Sequence, residues 1–165
     1  MRKIILIAHN LRSAHNVGSL LRTADGLGLE KIYLTGYTPY PEIDGDKRLP
    51  HMTKKIHSKI SKTALGAEKA VNIERYEDIF GVIKELSQKG YLICALEQSE
   101  KSIKLPEFNA PQKVVLIVGR EVEGLEPGIL RVANAIVEIP MSGQKESFNV
   151  TVAAAIALYQ LSYGL

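Results

Sequence analysis

The residues best suited to chemistry lie in three segments, each of which combines glycine or proline with polar side chains. In the first, Asn16 stands where a helix is expected to begin, Gly18 lets a ligand approach the backbone closely, and Arg22 follows one turn later. Asparagine is a favoured N-cap, so this pattern alone is typical of a capped helix with an exposed arginine.

The second segment runs from Gly119 to Leu125 and carries the acid Glu121 between two glycines. Such a turn presents backbone N–H groups and one carboxylate to a ligand, although an ordinary strand-to-helix turn has the same pattern. The third segment joins Ile139-Pro140-Met141 to Ser147-Phe148-Asn149. A loop with a helix cap explains it as well as a ligand site does.

Several common sites have no support in the sequence. It contains neither the glycine pattern of a dinucleotide site nor a P-loop. The histidine pairs lack carboxylate or cysteine partners at ligand spacing, so no metal site is expected. Cys94 lies inside an apolar run, which indicates a buried structural thiol rather than a nucleophile.

Alternating strands and helices must position these segments. Apolar runs over 3–8, 31–35, 71–75, 91–96, 114–118 and 135–139 read as strands, and helices are expected at 16–29, 59–65, 76–88 and 127–133. This alternation predicts an α/β domain with a mostly parallel sheet and helices on both faces. Ligands bind at the carboxyl ends of the strands in such sheets, where all three segments would lie.

The last helix, Val150 to Leu161, has almost no polar face. A helix that is apolar all round is buried. In a chain of 165 residues this helix is therefore expected to pack against more than its own domain, which predicts a subunit contact.

Positive charge is concentrated in residues 47–62. The net charge of the whole chain is +3, and this stretch contains no acid, so the remainder sums to about −3. Its six cations are Lys47, Arg48, Lys54, Lys55, Lys59 and Lys62. Such a patch is typical of a partner with a phosphate backbone, and a solvated loop is the alternative. Without a leader or an apolar run of membrane-spanning length, the expectation is one cytoplasmic domain over 1–165 with no membrane partner.

Taken together and in this order, the motifs NxGxxxRTA, GxExxGL and IPM…SFNV resemble those of the SPOUT superfamily, and within it the SpoU/TrmH family. That family transfers methyl groups from S-adenosylmethionine to ribose 2′-oxygens of tRNA or rRNA. The resemblance extends from Ile4 to Leu161. It implies a C-terminal trefoil knot that holds the cofactor, and a homodimer with the last helix at its interface.

The resemblance also implies roles for individual residues. Asn16 and Arg22 match the first motif, in which the arginine activates the 2′-hydroxyl, and Glu121 matches the acid that orients it. Ser147 and Asn149 match polar positions near the methyl group or the substrate. The residues expected to line the cofactor pocket are Gly119, Leu125, Ile139, Met141 and Phe148. Those expected to contact RNA are Arg12, Lys47, Arg48, Lys54, Lys55 and Lys59.

Arg120, Val122 and Phe148 depart from the residues usual at their positions, and Arg120 is an alternative contact for RNA phosphate. The chain also starts directly at its first strand, so no separate N-terminal RNA-binding domain is expected. Two other functions remain open: a non-catalytic RNA-binding relative with the same fold, and a small-molecule nucleotide-binding protein, which the missing phosphate motifs disfavour. The sequence does not distinguish tRNA from rRNA.

Overall fold

The strands of the fold are short, apolar and rich in β-branched residues, which suits a sheet buried on both faces. The computed structural model describes residues 2–164; Met1 and Leu165, the ends of the expected domain, lie outside the described residues. Within that range the strands are β1 Lys3–His9, β2 Lys31–Thr35, β3 Ile73–Tyr76, β4 Leu92–Leu96, β5 Ile103–Lys104, β6 Lys113–Val118 and β7 Ala135–Glu138.

Helices connect most of these strands. They are α1 Ala14–Gly26, α2 Pro50–Ala64, α3 Ala67–Ala70, α4 Ile79–Gln88, α5 Pro127–Val132 and α6 Val150–Tyr163, with a 3₁₀ turn at Leu105–Glu107. The expected order of elements is confirmed, but the helix in the basic region starts nine residues earlier than predicted, at Pro50. Proline is favoured in the first turn of a helix, and this signal marks the true start.

The seven strands of residues 2–164 form one sheet in the order β3-β2-β1-β6-β4-β7-β5, and all their pairings are parallel. The predicted α/β fold class is therefore confirmed. Strand β6 lies between β1 and β4, and β7 lies on the other side of β4. The trefoil knot stays a prediction.

Helices cover both faces of the sheet. Because side chains alternate along a strand, Ile4 and Leu6 of β1 belong to a core layer with α1, α2 and α6. Ile5 and Ile7 belong to the opposite layer, with α4 and α5. The carboxyl ends of the central strands are thus held by two packed layers, which makes that edge a rigid support for a site.

Helices α1 and α2 touch at Gly18. A Cβ atom there would lie 2.1 Å from Thr63 Oγ1 and 2.2 Å from the carbonyl oxygen of Ile60. The close approach expected at Gly18 is therefore real, but the partner is α2 rather than a ligand.

Candidate functional site

An open cleft of about 270 Å³ lies at the carboxyl ends of three adjacent strands, β4, β6 and β7. The last residues of these strands, Leu96, Val118 and Glu138, form its floor. The turn after β6 and the loop before α6 form its walls. These are the second and third segments that the sequence singled out, and they meet in one place.

The turn after β6 is held by the carboxylate of Glu97. Glu97 Oε2 accepts a hydrogen bond of 2.9 Å from the backbone N–H of Leu125, and Oε1 accepts one of 3.0 Å from the N–H of Gln98. Gly124 has a φ of +67°, and a Cβ atom there would lie 2.1 Å from Glu97 Oε2. Glycine is therefore required at position 124 both by backbone conformation and by contact with the acid.

Gly119 lines the cleft, whereas Leu125 does not. The Leu125 side chain is buried in the layer with α4 and α5. A Cβ atom on Gly119 would lie 2.8 Å from Leu125 Cδ2 and 2.9 Å from the carbonyl of Gly124. Leu125 thus supports the turn from below, and Gly119 allows strand and turn to come together.

Asn16 and Glu121 meet at the cleft. Asn16 Nδ2 donates a hydrogen bond of 3.1 Å to Glu121 Oε1, and Glu121 lines the cleft. The prediction that Asn16 caps its helix was wrong. Helix α1 begins two residues earlier, and the Ser13 side chain caps it by accepting from the Asn16 N–H at 3.2 Å. This leaves the Asn16 amide free to orient the acid.

In the third segment Ile139, Met141, Ser147 and Phe148 line the cleft. Asn149 does not line it. Its Oδ1 accepts hydrogen bonds from the N–H and the hydroxyl of Thr151, at 2.9 and 2.7 Å, and so caps α6.

Arg22 is exposed on α1 and lies outside the cleft lining. Arg22 lies six positions after Asn16, which corresponds to about 9 Å along the helix axis and a rotation of about 240° around it. The two side chains therefore leave α1 on different sides. Within residues 2–164 the guanidinium of Arg22 forms no hydrogen bond and no ion pair.

The loop after β1 is fastened to the turn after β6. Arg12 Nη2 pairs with Glu123 Oε1 at 2.9 Å, and Asn10 Nδ2 donates to Glu126 Oε1 at 3.1 Å. His9 is buried beside them, with its Nε2 3.8 Å from Glu126 Oε2. Burial lowers the pKa of His9, and the nearby Glu126 carboxylate opposes this shift.

The basic stretch divides into two parts. Lys54, Lys55, Lys59 and Lys62 are exposed on α2. Arg48, in contrast, makes contacts within the protein. Its Nε donates to Asp46 Oδ1 at 2.9 Å, and its guanidinium stacks 3.6 Å from the centre of the Tyr40 ring. The hydrogen bonds from Arg48 hold the pKa of the Asp46 carboxyl well below its usual range.

Lys47 is also exposed, and RNA contact by these cations stays a prediction.

Cys94 is fully buried, and burial raises the pKa of its thiol to about 12, in agreement with a structural role. Among residues 2–164, no three His, Cys, Asp or Glu side chains are grouped to hold a metal ion. No helix in the described part of the chain is both long and apolar enough to span a bilayer.

Sequence reasoning missed the acidic part of the cleft. Besides Glu121, its lining contains Glu97, Glu138 and Glu146, with Arg120 as the lining cation. Glu97 and Glu138 stand directly at the carboxyl ends of predicted strands. That position is the signal that could have identified them, since ligands bind at these ends.

This chain is similar to known proteins in both sequence and structure. A tRNA (guanosine(18)-2'-O)-methyltransferase from Aquifex aeolicus is 31% identical over 159 residues, which cover 96% of this chain and 68% of that protein. The crystal structure of the A. aeolicus TrmH/SpoU tRNA modifying enzyme matches with a TM-score of 0.80 and 27% identity, over 99% of this chain and 76% of that one.

An AdoMet-bound rRNA methyltransferase from Sinorhizobium meliloti shares the fold, with a TM-score of 0.79 and 24% identity over 96% of this chain. This chain spans 55% of that protein, so the relatives are longer to different extents. The model of the SpoU rRNA methylase family matches residues 3–159. This match covers nearly the whole chain and all three motifs, and the chain therefore belongs to the SpoU rRNA methylase family.

Proposed function

We propose that this protein transfers a methyl group from S-adenosylmethionine to a ribose 2′-hydroxyl of tRNA or rRNA. The observation that carries the proposal is the hydrogen bond from Asn16 to Glu121, which joins the first family motif to a cleft lined by the second and third. The relatives named as tRNA and rRNA methyltransferases support the same class of reaction.

The cleft suits the methyl donor in size and charge. Its volume of about 270 Å³ is near the lower end of the range for small-molecule sites. Ile139, Met141 and Phe148 offer an apolar surface for the adenine ring. The donor carries a positively charged sulfonium, and four glutamates against one arginine in the lining favour a cation.

The chain's own residues mainly align the reacting groups. When bound, the sulfonium supplies a methyl group that is already reactive, so positioning can account for roughly 7–11 kcal/mol of barrier reduction at best. Glu121 is held by Asn16 at the mouth of the cleft, where it can orient the substrate. Ser147, exposed on the cleft wall, adds a hydroxyl at the same place.

Arg22 is assigned to the ribose oxygen. Arginine is a poor general base, because its delocalised guanidinium offers donors and no acceptor. We therefore assign it to stabilising negative charge on the 2′-oxygen, which gives its proton to solvent and takes the methyl group as the carbon–sulfur bond breaks and S-adenosylhomocysteine leaves.

The proposed active form of the protein is a homodimer. The outer side of α6 carries apolar residues spaced one turn apart: Val152, Ile156, Tyr159 and Tyr163, with exposed fractions of 45%, 38%, 61% and 63%. The helix was expected to be buried all round, and a second copy would bury this face. Light scattering should give twice the 18.2 kDa of one chain, and Ile156→Glu should reduce the mass toward one chain, whereas Val132→Glu should not. A single-chain mass for the unaltered protein would refute the dimer.

A cytoplasmic location also follows from the proposal, because tRNA and rRNA are found there.

The function is tested by incubating the protein with S-adenosylmethionine and total RNA and measuring the S-adenosylhomocysteine that is released. Arg22→Ala should abolish release while calorimetry shows unchanged affinity for S-adenosylmethionine. Arg131→Ala, at another exposed arginine, should behave like the unaltered chain. RNA binding without any release from the unaltered protein would favour the non-catalytic RNA-binding alternative.

A further inference from the structure

Tyr37 is an exposed aromatic residue between two buried or constrained neighbours. Its exposed fraction is 53%, whereas Thr38 is 1% exposed. Gly36, on its other side, has a φ of +66°, and a Cβ atom there would lie 1.8 Å from Asn10 Oδ1. The residues on both sides of Tyr37 are therefore held in place, although its own ring is in solvent.

Hydrogen bonds fix this turn to the end of β1. The Tyr37 N–H donates to Asn10 Oδ1 at 3.1 Å. The hydroxyl of Thr38 accepts from the Leu11 N–H at 3.1 Å and donates to the Ala8 carbonyl at 3.0 Å. Asn10 itself has a φ of +55°, a conformation that asparagine tolerates better than most residues. An exposed ring on so constrained a backbone loses little conformational freedom when it binds a partner.

The same hydrogen bonds place Tyr37 at a fixed distance from the cleft. Asn10 bonds Tyr37 through Oδ1 and Glu126 through Nδ2, and Glu126 follows the turn that lines the cleft. Tyr37 comes two residues after β2, and Gly119 directly after β6. Two strand spacings separate β2 from β6, which is about 10 Å across the sheet. A nucleotide beside the one whose ribose enters the site can reach the ring.

A cation lies on the loop to which Tyr37 is bonded. Arg12 is two residues after Asn10, whose Oδ1 accepts from the Tyr37 N–H, and the Tyr37 phenol, followed by the Glu123 carboxylate, raises the pKa of Arg12. Both partners of the Arg12–Glu123 pair are exposed, so solvent screens their attraction and Arg12 can exchange Glu123 for a phosphate. An aromatic face for a base next to an arginine for its phosphate is the arrangement by which proteins hold unpaired nucleotides.

We propose that Tyr37 is a stacking site for an unpaired RNA base that flanks the methylated nucleotide. This inference rests on the proposed function, since it takes RNA as the substrate. It adds a contact outside the three family motifs and outside the basic stretch. The contact would align the RNA relative to the cleft, because Asn10 joins the two.

The test uses a property of the composition: the chain contains no tryptophan. Tyr37→Trp keeps an aromatic face and introduces a single indole whose fluorescence a stacked base quenches. The variant is saturated with S-adenosylhomocysteine and titrated with deproteinised total tRNA and, separately, rRNA. Quenching should follow the same curve as RNA binding measured on filters.

Affinity supplies the second measurement. Tyr37→Leu removes the aromatic face and should weaken RNA binding about 5- to 150-fold. Tyr37→Phe should bind RNA like the unaltered chain. Both should keep their affinity for S-adenosylhomocysteine, because the side chain contributes nothing to the cleft.

RNA binding with unchanged indole fluorescence, or equal affinity for Tyr37→Leu and Tyr37→Phe, would overturn the stacking site while leaving methyl transfer in place. Failure of the unaltered chain to bind either RNA would overturn both proposals.

Discussion

Replacing Gly18 with alanine should lower the stability of the whole domain, because the new methyl group has no space between α1 and α2. It would lie 2.1 Å from Thr63 Oγ1, 2.2 Å from the Ile60 carbonyl oxygen and 3.0 Å from the Ala64 nitrogen. Thr63 can rotate, but two of these atoms belong to the backbone of α2. The helices must therefore separate.

The size of the effect follows from two opposing terms. Overpacking costs about 1–3 kcal/mol, and a contact with rigid backbone belongs in the upper half of that range. Alanine recovers about 0.5–1 kcal/mol over glycine inside a helix. The net loss is then about 1–2.5 kcal/mol, and for a chain of this length the melting temperature should fall by roughly 2–10 °C.

The assay is thermal unfolding followed by circular dichroism, and the same helix offers a matched control. A Cβ atom at Gly26 meets nothing within 4 Å, so Gly26→Ala should leave the melting temperature unchanged or raise it slightly. Adding Thr63→Ala to Gly18→Ala should not restore stability, since the contact with the Ile60 carbonyl remains. Equal melting temperatures for Gly18→Ala and Gly26→Ala would refute this account of the packing.

Three further predictions concern the site and its supports. Gly119→Ala should weaken binding of S-adenosylmethionine in calorimetry, because its methyl group would press on Leu125, whereas Gly143→Ala in the open loop should not; equal affinities would contradict the assigned contact. Asn149→Ala removes the cap of α6 and should lower the free energy of unfolding by about 0.5–2 kcal/mol in urea denaturation. The lowered pKa of His9 means that its neutral form stabilises the fold above pH 6.5, and that this stability is lost as pH falls through the lowered value. Unfolding free energy should therefore fall from pH 7.5 to 5.5, and His9→Gln should show a smaller fall; equal slopes would contradict the assignment.

Much of the fold could be predicted because the apolar runs of the sequence coincide with the strands that form the buried sheet. Strand Lys31–Thr35 has the expected bounds. The bounds of the other five expected strands differ from the observed ones by one or two residues. The start of α2 was missed because its first two turns are basic and lack a clear apolar period. The two-residue strand Ile103–Lys104 was missed because so short a segment carries no periodicity.

The site was predictable as a set of segments, and the family prediction is confirmed, but the contacts within the site were not predictable. Asn16 and Ser13 are both good caps, and only the folded chain shows that Ser13 caps α1 while Asn16 reaches Glu121. Asn149 was expected either to cap α6 or to lie near the substrate; its amide oxygen caps α6 through Thr151, and the substrate role stays a prediction. The contact between Asn16 and Glu121 joins residues 105 positions apart, and such long-range pairing is not visible in a local sequence pattern.

The strand order has a consequence for how the chain acquires its structure during synthesis. Strand β4 pairs with β6 and β7, and both follow it in the sequence. When a ribosome has completed residue 96, β1, β2 and β3 can already associate, but β4 has no neighbour. At about 5–20 residues per second, β6 is complete roughly 1–4 s later. During that interval the edges of β1 and β4 that later pair with β6 are both open, so the nascent chain is exposed to aggregation and to chaperones before the cleft can form.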